Sequence, residues 1–412
     1  MEKSVYEFDE ALDERRELSF GRIKEIPSEV NVPEPFMQYF REVAEFILDP
    51  SYDIALPENY EVCWSNPRYA VLMLGEKLGR LLCYLSYELM GIIPFRAEGL
   101  KLDEVILMEV FIQVYGAFEA ASLDGTLPDE KEIKGILYSF VSDYMDHTVY
   151  ERIKGSVEGD NDFALRIIQD SDLSDLSYLE KYGEYVSDNT IGTAKYLNSL
   201  SDEKIELMAA AFTNGYITGF ANTGKDIKKK KTVNLRYHIG FERLVRAEIR
   251  LFKEAGLSPV IYRRALHVAV RGNSYVGYYG DQVNPQMDYD HREDKALFLD
   301  KAYVNRKLEV SRFAYEQVKD KARVMGGPAV METFGEKPFK PEQKSEAPVM
   351  SEKQRRLDVE LTSKLGSMVN EYIPRDERSF SIIAYPVPEI GDDYEKIFTE
   401  TVKLNTLDCK LY

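Results

Sequence analysis

Apolar positions recur at three- and four-residue spacing from the start of the chain to about residue 225, a pattern that predicts helix after helix. Breakers separate the periodic segments: Pro33 and Pro35, LPENY at 56–60, Gly91 to Pro94, DGTLPDE at 124–130 and GSVEGDND at 155–162. Segment 102–120 is apolar nearly all round (Val105, Ile106, Met108, Val110, Phe111, Val114, Phe118), as suits a helix buried among others. Pro128 followed by acidic residues predicts a helix start, with negative charge at the positive end of the dipole. Another helix starts at Ser201 and closes near NTGK. No period of repeat-protein length emerges. Residues 1–225 therefore read as an irregular helical bundle.

The pattern changes at KDIKKKKTVNLRYHIG. The lysine run reads as a solvated linker ahead of a strand, TVNLRY, against the alternative of an anionic ligand site. In GFERLVRAEIRLFKEAG, Phe241, Val245, Ile249 and Phe252 keep helical spacing, and Gly256 stands where a left-handed cap residue belongs. Val260 to Tyr262 then predicts a short buried strand. Strand, helix, strand is the signature of a parallel sheet. Helices at roughly 296–319, 353–371 and 392–405 and a strand at 380–385 continue it. The expected fold is thus α plus α/β, a helical bundle over 1–225 followed by a partial, Rossmann-like parallel lobe over 226–412. A parallel unit calls for a further strand after its last helix, so the lobe reads as incomplete at its C-terminal end. Its last helix is then expected to leave Tyr394, Ile397, Phe398 and Val402 with little cover.

Charge narrows the function. With 53 Lys and Arg against 71 Asp and Glu, the net charge of −18 repels nucleic acid and anionic lipid. Cys63, Cys83 and Cys409 are sparse and form no CxxC pair, which argues for a reducing compartment. The N-terminus has no apolar secretion core, and no stretch approaches the ~20 apolar residues of a membrane helix. The expectation is a cytoplasmic protein with neither nucleic-acid nor membrane partners.

Candidate chemistry is thin. YHIGFERL offers one glycine, Gly240, where a phosphate-binding loop needs several, so Gly240 reads as a helix cap or tight turn. MDYDHRED gathers Asp288, Asp290, His291, Glu293 and Asp294, oxygen and imidazole donors of the types that hold a divalent metal. Of these, Asp288, Asp290 and His291 are the candidate ligands, against a plain reading as loop and helix-start charge. His147, His238 and His267 stand singly and read as packed or surface residues, Cys83 as core filling, and GNSYVGYYG (272–280) as a surface loop, against an alternative in which its tyrosines line a groove. HExxH, GxSxG and a Cys/His nucleophile pair are all missing. No complete active site can be assembled from these residues.

Four strings carry a resemblance: KKKKTVNLRYHIGFERLVRAEIR, YDHREDKALFLDKAYVNRKL, GGPAVMETFGEKPF and ERSFSIIAYPVPEIGDDYEKIFTETVKLNTLD. Together they resemble the N-terminal portion of long bacterial members of the aminopeptidase T (thermophilic metalloprotease, leucyl aminopeptidase) family. The resemblance implies a metal-dependent aminopeptidase acting on peptide substrates, commonly as a homodimer. It implies two divalent metals, zinc or cobalt, that activate water against the first peptide bond. In that family the ligands lie in a C-terminal domain beyond the PxPEIG to NTLD segment, so none falls on a residue of this sequence. The expected function is the N-terminal region of such an enzyme, the catalytic half being absent. Two other readings stand beside it: a non-catalytic helical interaction module with an α/β appendage, and an independent metal hydrolase centred on Asp288, Asp290 and His291.

Overall fold

The structure, a computed structural model, describes residues 3–26, 32–159, 161–272 and 275–406. Eight helices come first: α1 Lys3–Glu25, α2 Glu34–Leu48, α3 Pro67–Leu74, α4 Glu76–Leu89, α5 Ile92–Glu98, α6 Lys101–Ser122, α7 Glu130–Asp143 and α8 Met145–Val157. Next are α9 Phe163–Asp170, α10 Asp188–Ser199, α11 Asp202–Asn222, β1 Thr232–Arg236, α12 Glu242–Glu254 and β2 Ser258–Val260. The chain then passes through α13 Pro285–Asp290, α14 Lys301–Gln317, α15 Lys319–Arg323, β3 Met325–Phe334, α16 Glu352–Tyr372, β4 Ser381–Pro386 and α17 Tyr394–Asn405. This is the expected helical region with a small parallel sheet.

The sheet runs β2-β1-β3-β4, all parallel, with Asn234 opposite Val260 and Met331 opposite Ile383. Strand β3 lies at its centre and is missing from the sequence-based expectation, because Gly326, Gly327 and Pro328 read as breakers. The ladder accommodates them. Its register shifts beside Pro328, and pairing with β4 begins only at Ala329, so the proline falls at an irregularity where its absent N–H costs no regular bond. Gly327, at φ +105°, lies so close to the Ser379 carbonyl that a side-chain carbon would meet it at 2.0 Å. Lys230, in the run read as solvated, is instead buried and pairs with Glu377 at 3.2 Å.

Two large packing cores, and a smaller third one joining Val157 of α8 to Tyr315, Met325, Met368 and Tyr372, cut across the expected 1–225 and 226–412 division. The first joins α1–α8 to Val268, Met287, Phe298, Val304, Val310 and Leu361, so α13, α14 and α16 pack with the helical region. The second sets the sheet face of Val233, Leu235, Ala329, Met331, Ile383 and Tyr385 against α9–α12 and α17. Helix α17 is therefore covered, contrary to expectation: Tyr394, Phe398 and Val402 are buried and Ile397 is half-buried. Tyr196 of α10 meets Tyr394 at 5.2 Å and Phe398 at 4.9 Å, and Tyr385 stacks on Phe398. The cover comes from far upstream in the chain, which is why it is invisible locally. What stays open is the edge strand β4, where Ile382 is 56% exposed and Phe380 just before it 68% exposed.

Helix α6 also departs from expectation, being long and apolar enough by length and composition to cross a membrane. Here Val105, Ile106, Leu107, Phe111 and Phe118 are fully buried in the first core. Three of its carboxylates clasp α1: Arg15 on Glu109 at 2.8 Å, Arg16 on the buried Glu104 at 2.7 Å and Arg22 on Glu119 at 2.7 Å. Cys63 and Cys83 are buried free thiols, and Cys409 lies outside the described residues.

After β2 the chain leaves the sheet along IYRRALHVAVRG and crosses the helical region. Arg263 anchors this crossing. Its guanidinium donates to Glu98 of α5 at 2.6 Å, to Glu184 at 2.5 Å and to the Tyr182 carbonyl at 2.7 Å, with all three side chains buried. Removing one partner of a buried pair leaves an uncompensated charge, which costs far more than the pair contributes. Arg263→Met is expected to destabilise the protein by about 3–5 kcal/mol in chemical denaturation. Adding Glu98→Gln and Glu184→Gln to that variant should recover much of the loss; a neutral single variant would contradict the anchoring role.

Candidate functional site

A cleft of about 900 Å³ opens where the crossing segment meets α4 and α13. Helix α4 turns Tyr87 and Glu88 toward it because its apolar stripe is committed to the first core. Helix α13 begins at Asn284, whose side chain caps the Gln286 N–H at 3.0 Å, with Pro285 at the first helical position. That start orients Asp288, Asp290 and His291. Apolar Met90, Pro94, Val268, Val283 and Met287 complete the walls.

The three candidate metal ligands do not converge. Asp288 accepts a hydrogen bond from Tyr87 Oη at 2.9 Å. Asp290 is buried behind the cleft, held by Lys344 at 2.9 Å, Tyr60 Oη at 2.8 Å and Gln286 Nε2 at 2.7 Å. His291 stacks on Tyr87 at 4.0 Å and places Nε2 2.7 Å from the Ser65 carbonyl and Nδ1 2.8 Å from Asp294. A carbonyl only accepts, so Nε2 donates to Ser65, and Nδ1 is taken up by the Asp294 carboxylate; both ring nitrogens are already engaged within the protein. No group of three or more His, Cys, Asp or Glu side chains able to hold a metal ion occurs among the described residues. The residues present do not fit a two-metal centre.

The histidines read as solitary are joined instead. His147 Nε2 lies 3.1 Å from Asp103, whose other oxygen lies 3.2 Å from His267 Nε2. His267 Nδ1 is 3.8 Å from Glu88, Glu88 is 3.7 Å from Arg271, and Arg271 is 3.5 Å from Asp294, the partner of His291. Bases and acids thus alternate from His147 to His291, ending at the cleft. Burial works against a charge on His267, but Asp103 and Glu88 hold its proton and raise its pKa to about 9. Burial likewise opposes ionisation of Asp103, yet its two histidine partners win and lower it below the usual carboxylate range.

His238 belongs elsewhere, at the C-terminal end of β1. Nε2 bonds Asp281 at 2.7 Å and Nδ1 the Ile239 carbonyl at 2.6 Å, while Ser187 and Thr190 donate to the far oxygen of Asp281. The serine is on the carboxylate, not on the imidazole, so this is not a nucleophile with its base. Gly240 makes the expected tight turn, at φ +107°. The tyrosine–glycine segment is only in part the surface loop expected: Tyr275 is 40% exposed and lines the cleft, while most of the later residues are buried. Its residues 273 and 274 lie outside the described residues, but Tyr278 is buried with its ring 5.1 Å from Arg263, and a side chain at Gly277 would strike the Tyr262 carbonyl.

The signal that escaped notice is RRALHVAVR: cations at 263, 264, 267 and 271 with no acid among them. Their counter-charges are Glu88, Glu98, Asp103 and Glu184, in other segments. Comparison of the chain with protein-family models, curated proteins and solved structures returns no match.

The network generates a pH prediction. His267 titrates near 9 when folded, above the ordinary ~6.5, so its stabilisation is complete below about pH 6.5 and is lost as pH rises through 9. Denaturation of wild type and His267→Gln is expected to differ by about 3 kcal/mol at pH 6, the gap shrinking by pH 9.5. A gap constant across that range would contradict a protonated His267.

Proposed function

We propose that this chain forms a non-catalytic, peptide-holding lobe of a metal-dependent aminopeptidase, with the metal chemistry supplied by residues outside it. The single observation that carries this reading is where the four resembling strings lie. Those containing β1, β3 and β4 form adjacent strands of one sheet, and the fourth runs from the end of α13 into α14, its residues His291 to Lys295 lining the cleft. Strings far apart in sequence thus become neighbours, as parts of one functional unit should. The cleft supports a peptide ligand in its own right. Its volume lies within the range of small-ligand sites, and apolar walls alternate with both signs of charge.

The alternative is an interaction module that binds another protein. The open edge of β4, with Phe380 and Ile382 exposed, favours it, since an unpaired strand flanked by apolar side chains can accept an added strand.

The test is paired. Purified chain with leucyl-p-nitroanilide and added zinc or cobalt is expected to release no nitroaniline, while a fluorescent leucyl tripeptide binds saturably in anisotropy. Sustained hydrolysis overturns the non-catalytic assignment. Absence of peptide binding overturns the peptide-holding lobe and leaves the interaction module.

A further inference from the structure

We propose that the cleft takes a peptide by its free C-terminal carboxylate, with Arg271 as the principal contact and Arg264 as a second cation on the same wall. This rests on the peptide reading and adds the end of the peptide that is recognised.

Arg271 is placed for such a role by what it does not do. It lines the cleft, its side chain is 23% exposed, and that side chain makes no hydrogen bond to any of the described residues. Its nearest acceptors, Asp294 at 3.5 Å and Glu88 at 3.7 Å, are too distant for good N–H donation. Both are otherwise engaged: Glu88 accepts the Val268 N–H at 3.0 Å, and Asp294 pairs with His291. They stabilise the charge of Arg271 without filling its five donors. Position comes from Tyr87, over whose ring the guanidinium sits at 4.6 Å, a contact that consumes no N–H. Arg264 repeats the arrangement. It reaches Glu184 through one nitrogen at 3.2 Å and sits 5.5 Å over Tyr275, and its Nε is buried without a partner. An unfilled fork of planar donors matches a carboxylate in geometry as well as charge.

The surroundings decide which anion. Glu88, Asp288, Glu293, Asp294 and Asp358 line the same cleft and offset the further cations Arg152, Arg292, Lys295 and Arg355, a near balance that suits a singly charged carboxylate better than a doubly charged phosphate. The apolar walls of Met90, Val268, Val283 and Met287 suit the side chains of the attached residues.

Calorimetric titration with Leu-Gly-Phe and with its C-terminal amide tests this without a variant. The free acid is expected to bind at least about tenfold more tightly, since a charge-assisted hydrogen bond contributes about 1.5–3 kcal/mol. Arg271→Gln should remove that advantage and leave the amide's affinity unchanged, and Arg271→Lys should restore part of it. Equal binding of acid and amide overturns the carboxylate contact while the peptide reading stands. If neither peptide binds, both fall. Displacement of the acid by inorganic phosphate at lower concentration than the peptide itself would make this a phosphate site and overturn the proposal.

Discussion

Four cations on one nine-residue stretch, Arg263 to Arg271, are matched by four carboxylates from the helical region, and the rest of the molecule is arranged around that match. Arg263 holds Glu98 and Glu184, Arg264 shares Glu184, His267 lies between Asp103 and Glu88, and Arg271 faces Glu88 and Asp294. The helical partners are themselves buried, so each would be a bare charge in low dielectric if the stretch lay elsewhere. Such pairs add little net stability over an apolar core, but any misplacement is costly. Their contribution is to fix where the chain crosses. Glu248 on α12 shows the other outcome: neither of its carboxylate oxygens has a partner among the described residues, and burial alone pushes its pKa well up, favouring the neutral form.

Several consequences follow from the fixed crossing. Val268 and Ala269 enter the first core as the stretch passes, which draws the downstream helices α13, α14 and α16 onto the helical region. The chain re-enters the sheet at β3, between α14 and α16, and the face of the sheet carrying Val233, Ala329 and Ile383 packs on α9–α12 and α17. Both packing cores are therefore built from chain segments on either side of residue 225. The cleft is the space left beside the crossing, and two cations of the stretch, Arg264 and Arg271, reach it with donors to spare.

Much of this architecture was legible in the sequence where the signal is local. The periodic helices, the strand–helix–strand unit from β1 to β2, the left-handed Gly256 and the turn at Gly240 all follow from spacing and glycine chemistry. Strand β3 was not legible, because Gly326, Gly327 and Pro328 are tolerated only through a register irregularity supplied by neighbouring strands. Nor was the cover of α17, which depends on Tyr196 two hundred residues upstream in a helix assigned to another unit. The site failed for the same reason in a sharper form. MDYDHRED has the right donors for a metal, yet Lys344, Tyr87 and the Ser65 carbonyl claim them from outside. His147 and His267 look solitary because their shared partner, Asp103, sits inside an apolar helix, where its charge reads as an interruption. Buried charges announce themselves one at a time in sequence and acquire meaning only as pairs.

The claim that the 263–271 stretch is locked by its counter-charges is tested most directly by amide hydrogen exchange. The Val268 N–H is held by Glu88, the Arg264 N–H by the Tyr278 carbonyl and the Arg271 N–H by the His267 carbonyl. If the lock is real, these amides exchange as slowly as those in the middle of α6, through the same rare opening of the whole protein. Rapid exchange of Val268 and its neighbours while α6 stays protected would contradict it.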